Sequence, residues 1–435
     1  MNGDYFREGV PVSLEQILDA REVRAAYQKE LLNRFQKPLI SFKMNIPGEI
    51  KVYPLAERAF ADGCRQIESQ LVANGTTVLY SEKKDLVTGT ETYWIADGDA
   101  AAVKLLMMEI EERDSLGRLY DIDVLEADGG LIKGTGLGRP ERTCIICGRA
   151  VWECARSRNH TAEMLAFRTA EIIREHYALS FADQISAAAV RALLYEVSIT
   201  PKPGLVDRVN NGAHSDMNYY TFIDSSCALI TYFRETVRFA ANYTGEISGL
   251  LDRLGPLGRR AEKEMFVATG GVNTQKGLIF SLGLFCAAAG YLYQSAEILT
   301  LSNLLDTVQI IAAEKDGVPS DRTENDPTHG MSVCIQYGIS GIRGEASKGF
   351  PCVRKIGYPV LKSLIQQGVC TDEAGAITLL LLIAATEDTN IIYRAGLDEY
   401  HRMKADVTKI LEQDNDPQRL RNAAVKLDAD FTAKG

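Results

Sequence analysis

The sequence predicts two domains, an N-terminal α/β (α+β) domain followed by an all-α helical domain. Three observations predict this. At 435 residues the chain exceeds the roughly 250 to 300 at which a single core stops growing. Strand-like and helical runs alternate over the first 160 or so residues. From Thr161 onward the apolar runs have helical spacing, with hardly a strand-like stretch among them.

The first helix is expected over Ser13 to Asn33, where a Ser-x-x-Gln capping box precedes apolar residues at helical spacing. Pro38 to Ile50 then reads as a strand ended by Pro-Gly, and Leu55 to Leu71 as a helix. Thr76 to Ser81 and Thr90 to Ile95 are rich in β-branched and aromatic residues and read as strands. Ala100 to Glu112 returns to helix, and Leu119 to Leu125, LYDIDVL, closes the series as a strand. Helices follow at Glu163 to Tyr177, Phe181 to Tyr195, Tyr219 to Tyr243, Lys276 to Tyr293, Leu301 to Glu314, Gly357 to Gln367, Thr371 to Thr386 and in the charged stretch Leu397 to Lys434. The domain boundary falls near His176 to Ala182, giving domains of residues 1–178 and 179–435.

Hydrophobic residues at 46% and charged residues at 24% describe an ordinary globular composition. A net charge of -10 argues against a broad nucleic-acid surface. Nine cysteines, an odd number scattered singly, read as reduced thiols. The start, MNGDYFREGVPVSLEQ, lacks the apolar core of a secretory signal, so a cytoplasmic protein is expected. Gly277 to Tyr293 is uncharged but shorter than the roughly 20 residues of a membrane span, and a buried helix is expected there rather than a membrane segment.

In the first half the chemistry concentrates on Asp121 and Asp123. Residues two apart on a strand project to one face, so both carboxylates would meet one divalent cation, as a phosphoryl or nucleotidyl transferase requires for Mg²⁺. Asp-x-Asp also arises by chance. Downstream, Cys144 and Cys147 form a Cys-x2-Cys arm, and Cys154 and His160 complete a set that could hold Zn²⁺ tetrahedrally. A turn holding reduced thiols is the alternative. Arg142, Arg156 and Arg158 belong to a basic cluster suited to phosphate oxygens, or simply to a solvated surface.

Four polar stretches interrupt the helices of the second half. Val197 to Tyr220 carries Lys202, Asp207, Arg208, Asn210, His214 and Asp216 on a loop rich in proline, glycine and asparagine. Gly270 to Lys276, GGVNTQK, leads through Asn273 to Lys276 at a helix N-terminus, where unpaired amides and the helix dipole favour an anion. It lacks the Walker spacing, and an ordinary capped helix has the same pattern. Asp316 to Gly330 crowds Asp326 and other carboxylates beside Arg322 and His329, which calls for a cation or arginines to neutralise them. Ala385 to Gly396 presents Asp388, Asn390 and Arg394 at the rim of an apolar helix.

The stretches SFKMNIPGEIK (Ser41 to Lys51), GRLYDIDVL (Gly117 to Leu125) and CIICGRAVWECARSRNH (Cys144 to His160) resemble the apo-citrate lyase phosphoribosyl-dephospho-CoA transferase family. Tyr120 stands where that family leads one to expect tryptophan. The resemblance implies that Asp121 and Asp123 hold Mg²⁺ and that the arginines bind donor phosphates. A nucleotidyltransferase-like fold is one option for this half, although no Gly-Ser signature precedes the Asp pair. TPKPGLVDRVNNGAH, GGVNTQKG, NDPTHG, ISGIRGEASKGFP and DTNIIYRAG, in that order from Ala188 onward, resemble the triphosphoribosyl-dephospho-CoA synthase family, with departures at Val272, Gln275, Met331 and Ala395. That family is all-helical and joins ATP to 3'-dephospho-CoA, expelling adenine.

The two resemblances together imply one bifunctional transferase that makes the citrate lyase prosthetic group and attaches it to a serine of the citrate lyase acyl carrier protein. The expected substrates and partners are ATP, 3'-dephospho-CoA and that carrier, with neither nucleic acid nor a membrane. Exchange at C1 of the ATP ribose passes through an oxocarbenium-like state. Asp207 or Asp216 is assigned to the sugar, His214 or His329 to proton traffic, and Asp326 and Asp388 to Mg²⁺. Lys202, Arg208, Asn210, Asn273, Lys276, Arg322, Arg343, Asn390 and Arg394 are assigned to substrate and phosphate, and Glu345 is a further base. Two alternatives stand beside this. The first half could be a zinc-stabilised docking module without catalysis, or the product could serve malonate decarboxylase, whose carrier bears the same group.

Overall fold

The computed structural model describes residues 9–140, 142–294, 299–313 and 329–434, and the side chains of residues 329–331 and 434 lie outside that description. It divides into two compact units, Met1–Tyr177 and Ala178–Gly435.

In the first unit, α1 (Leu14–Phe35) opens on the capping box read from the sequence, with Ser13 and Gln16 each accepting from the other's backbone amide. Then follow β1 (Leu39–Met44), α2 (Pro54–Ala73), β2 (Thr77–Lys84), β3 (Glu91–Asp97), α3 (Ala100–Glu112), β4 (Tyr120–Leu125) and the short α4 (Val151–Ser157). The strands form one antiparallel sheet in the order β2-β3-β1-β4, which makes this half an α+β unit. Register pairs Phe42 with Ile122 and Ile40 with Val124 on one face, and Lys43 with Asp121 and Ser41 with Asp123 on the other. The apolar face packs on α2, where Phe42 stacks on Phe60 with ring centroids 4.8 Å apart. The opposite face is covered by α1 through Leu31, Leu32, Leu39, Tyr93 and Ile95.

The second unit contains α6 (Tyr219–Ala228), α7 (Ile230–Ala241), α8 (Leu250–Ala268), α9 (Lys276–Gln294), α10 (Leu301–Ala312), α11 (His329–Tyr337), α12 (Gly341–Ser347), α13 (Tyr358–Gln366), α14 (Thr371–Ala385), α15 (Thr389–Ala395), α16 (Leu397–Gln413) and α17 (Pro417–Lys434). No strand occurs among its described residues. α5 (Ala162–Ser198) is a single helix where two were expected, because nothing between Tyr177 and Phe181 breaks helical geometry, and the division between the units falls within it. Tyr219 to Tyr243 is two helices instead of one, and Leu397 to Lys434 likewise breaks before Pro417. α9 is long and apolar enough to span a membrane, yet its residues Ile279, Leu284, Cys286 and Ala287 are buried in this unit's core. Gly290 permits its close approach to α7, since a Cβ there would meet the Val237 carbonyl oxygen and lie 3.0 Å from Ala240 Cβ.

Candidate functional site

The Asp pair lies on β4, an edge strand whose alternation buries Tyr120, Ile122 and Val124 and leaves Asp121 and Asp123 half-buried together on one face. Asp121 forms an ion pair with Lys43, its cross-strand partner. Burial raises the Asp121 pKa, but the Lys43 charge and hydrogen bond, with Arg142 and Lys104 beyond, outweigh it and hold the carboxyl below its ordinary value. Burial and the neighbouring Asp121 charge push Asp123 the other way. One carboxylate of the pair is thus matched by a cation while the other is held against its preference, the electrostatic state that an added cation relieves.

Beside the strand stands Glu111, 1% exposed, at the end of α3. It takes Arg142 at 2.5 Å, pairs with Arg139, and accepts the Ile122 amide at 3.2 Å. Arg142 also donates to the Tyr120 carbonyl at 3.1 Å. Lys104, buried on α3, donates to the Ile122 carbonyl at 2.6 Å and lies 3.9 Å from Glu111. Burial lowers the Lys104 pKa although Glu111 and Asp123 pull it upward. Arg142, read from the sequence as a phosphate ligand, is therefore held by Glu111. Arg156 and Arg158 are solvent-exposed at the end of α4. Lys43, Lys104 and Glu111 escaped the sequence reading, because their roles come from strand pairing and helix docking rather than from any local pattern.

Downstream of β4, Cys144, Cys147, Cys154 and His160 come together, with one ligand atom from each lying within 4.8 Å of all the others. This cluster could hold a metal ion.

In the helical unit the loop between α5 and α6 is built by its own polar residues. Asp207, 1% exposed, accepts from the amides of Val209 at 2.7 Å and Asn210 at 3.0 Å through Oδ1, while its buried Oδ2 has no hydrogen-bond partner. Arg208 makes a two-pronged pair with Asp372 on α14 and donates to the Ser198 carbonyl at 2.9 Å. Asn210 donates to Asp428 on α17 at 2.8 Å, and Lys202 is buried against Glu196 at 2.5 Å. These three, read as substrate ligands, bind the loop to its surroundings in this structure.

His214 faces Arg394 of α15, with Nη1 2.8 Å from Nδ1, and Asp216 lies 3.9 Å away. A guanidinium only donates, so the facing imidazole nitrogen accepts. Burial first, then the Arg394 charge, lowers the His214 pKa and favours the neutral ring. Val272 of the glycine-rich turn packs against Val197 at the end of α5 and against Val206 and Met217 of the loop that follows it. Asn273 Oδ1 accepts the Lys276 amide at 3.3 Å, and Lys276 pairs with Glu262 at 3.0 Å. Gln275 is buried, accepting from Ser225 at 2.7 Å. Asp388 caps α15 by accepting from Asn390 at 2.8 Å, and Asn390 is itself exposed. Thus three of the four polar stretches converge: the first meets the second at Val272 and the fourth at Arg394.

Two assignments fall elsewhere. Arg343 is exposed on α12 with its guanidinium 5.2 Å from the Phe280 ring centroid. Glu345 accepts the Cys352 amide at 3.2 Å and the Cys352 thiol at 3.5 Å. Arg322, Asp326 and the His329 side chain lie outside the described residues.

Residues 12–176 match the family model described as apo-citrate lyase phosphoribosyl-dephospho-CoA transferase, and residues 182–435 match that described as ATP:dephospho-CoA triphosphoribosyl transferase. The chain is 36% identical over 422 residues to Protein CitXG of Leuconostoc mesenteroides subsp. cremoris, covering 90% of this chain and 86% of that protein. It is 32% identical over 437 residues to Protein CitXG of Haemophilus influenzae, covering 98% and 92%. Its helical half is 40% identical over 253 residues to a probable 2-(5''-triphosphoribosyl)-3'-dephosphocoenzyme-A synthase of Streptococcus pyogenes serotype M5, covering 55% of this chain and 85% of that protein. The α+β unit and the helical unit together define a bifunctional transferase of citrate lyase prosthetic-group synthesis. The chain belongs to the CitXG family, in which the transferase and the synthase are fused.

Proposed function

We propose that the helical unit joins ATP to 3'-dephospho-CoA, giving 2'-(5''-triphosphoribosyl)-3'-dephospho-CoA and adenine, and that the α+β unit transfers the phosphoribosyl-dephospho-CoA group to a serine of the citrate lyase acyl carrier protein with release of pyrophosphate. In the first reaction the ribose 2'-hydroxyl oxygen bonds to C1 of the ATP ribose, the bond from C1 to adenine breaks, and the hydroxyl proton ends on adenine. The observation that carries this reading is the meeting of His214 with Arg394, which draws two polar stretches far apart in sequence onto one place.

Arg394, turned from His214 to a substrate phosphate, would carry its fixed positive charge to that group and free the lone pair of the neutral imidazole to take the hydroxyl proton. Asp216, at the edge of this group, and Asp207, beneath the loop with one oxygen unpartnered, are the carboxylates that would stabilise positive charge at the sugar. Lys276 and Asn273 stand at the head of α9, where helix amides favour an anion. Lys202, Arg208 and Asn210 hold the loop in shape, and Asp207 depends on them for its setting.

In the α+β unit Asp121 and Asp123 would hold Mg²⁺, as the raised Asp123 suits, and Asp388 is the corresponding carboxylate of the helical unit. The ion would neutralise phosphate charge. Lys43 and Arg142 supply fixed positive charge beside the pair. The sheet with its Asp-bearing edge strand suits a nucleotidyltransferase-like active site, and a cytoplasmic location suits these substrates.

The test mixes the protein with ATP, dephospho-CoA, Mg²⁺ and apo citrate lyase carrier, then weighs the carrier by mass spectrometry. The expected product is carrier heavier by one phosphoribosyl-dephospho-CoA group, with adenine released. An unmodified carrier with adenine released would leave the first unit a docking module, and no adenine would refute the synthase assignment.

A further inference from the structure

We propose that Cys144, Cys147, Cys154 and His160 form a closed structural zinc site that locks the segment following β4. The four donor atoms lie within 4.8 Å of one another. A tetrahedral zinc with sulfur at about 2.3 Å and nitrogen at about 2.0 Å needs donors about 3.5 to 3.8 Å apart, so small adjustments bring this set to coordination. Cys147 and Cys154 sulfurs are 3.3 Å apart, compared with about 2.05 Å in a disulfide. All nine cysteines are free.

Two further observations point to an ion. Both ring nitrogens of His160 are buried without a hydrogen-bond partner. An imidazole shut away from water in this manner is costly unless something accepts its lone pair, and the three sulfurs of the cluster lie within 4.8 Å of its donor atom. The first Cys arm is also shaped as a metal knuckle. Thr143 and Ala150 form an antiparallel bridge, the Cys144 amide donates to the Arg149 carbonyl at 2.6 Å, and Gly148 turns the chain with φ of 72°. Within that turn the Ile146 amide points at the Cys144 sulfur at 3.5 Å, the contact that steadies a thiolate ligand. Cys154 comes from α4 and His160 from the turn before α5, so one ion would join three separate pieces of chain.

What the ion would hold is visible next door. Arg118 donates to the Thr143 carbonyl at 2.7 Å, and Arg142 reaches Glu111 and the Tyr120 carbonyl. The knuckle therefore anchors one end of the polar cluster on β4. Between its ligands lie Arg149, Arg156 and Arg158, all exposed, which are trypsin sites in a segment with little core of its own.

The full-length chain, purified reduced from zinc-supplemented cells, is expected to carry about one zinc ion per chain by plasma mass spectrometry. Replacement by Co²⁺ is expected to give the intense near-ultraviolet absorption of cobalt-thiolate charge transfer. Chelation should speed tryptic cleavage after Arg149, Arg156 and Arg158 at least tenfold, and zinc should restore protection. Cys147→Ser and His160→Ala should lower zinc retention at least tenfold, while His160→Cys, which keeps a donor, should retain it. The proposal is overturned if reduced wild-type protein, equilibrated with excess zinc, binds less than about a tenth of an equivalent and gives no cobalt-thiolate absorption. A Cys147–Cys154 disulfide in protein whose thiols were blocked at lysis would overturn it equally.

Discussion

Replacing Glu111 by glutamine tests the electrostatic frame beside the Asp pair. The carboxylate is 1% exposed and faces Arg139, Arg142 and Lys104, so the substitution leaves three cations without their shared counter-charge while preserving shape. Breaking a buried ion pair from one side costs roughly 3 to 5 kcal/mol. The Arg142 side chain is 35% exposed and can turn to water, so the lower end of that range, about 3 kcal/mol, is the expected loss. For a unit of 177 residues this lowers the melting temperature by roughly 6 to 12 °C. Both tryptophans of the chain, Trp94 and Trp152, lie in this unit, and Trp94 is 1% exposed, so tryptophan emission during thermal or urea unfolding reads this unit alone. A loss below about 1 kcal/mol would refute the view that Glu111 balances these cations.

Three further outcomes follow from the same geometry. Asp123→Asn is expected to cut carrier modification at least a hundredfold while adenine release stays at the wild-type rate, measured in parallel on one preparation; equal loss of both would break the assignment of the two reactions to two units. For pH, a lowered His214 pKa keeps the ring neutral to below its usual value of about 6.5, so the acid limb of the adenine-release profile should lie below that point. Arg394→Met removes a charge that depresses it, so the limb should move upward, and an unmoved limb would exclude His214 as the titrating base. Gly290→Ala forces a methyl against the Val237 carbonyl and Ala240, and should destabilise the helical unit by about 1 to 3 kcal/mol in circular-dichroism melts without shifting tryptophan emission.

What the sequence made legible was local. The Ser13 and Gln16 capping box, the alternation that pairs Asp121 with Asp123, and the cysteine spacing each depend on neighbours within a few residues. Helix ends were harder. The chain from Tyr177 to Phe181 carries no breaker, and the change in apolar pattern there read as two helices where the backbone simply continues. α8 was hidden because Pro256 lies inside it, where a proline ordinarily marks a break. Partners across the fold were not legible at all. Lys43 meets Asp121 only because β1 lies beside β4, and Arg208 meets Asp372 across 164 residues of chain. Those pairings decide which charged residues remain open to a ligand, and composition carries no trace of them.

The β4 edge has one more consequence. Its outward carbonyls at Tyr120, Ile122 and Val124 accept from Arg142, Lys104 and the Ile132 amide, and its outward amide at Ile122 donates to Glu111. A sheet border would ordinarily invite a visiting strand to extend it. This border is stoppered by charged side chains at Tyr120 and Ile122 and by the chain's own return at Leu131 and Ile132, so a protein approaching the two aspartates finds little ladder to join and is left to side-chain chemistry for recognition.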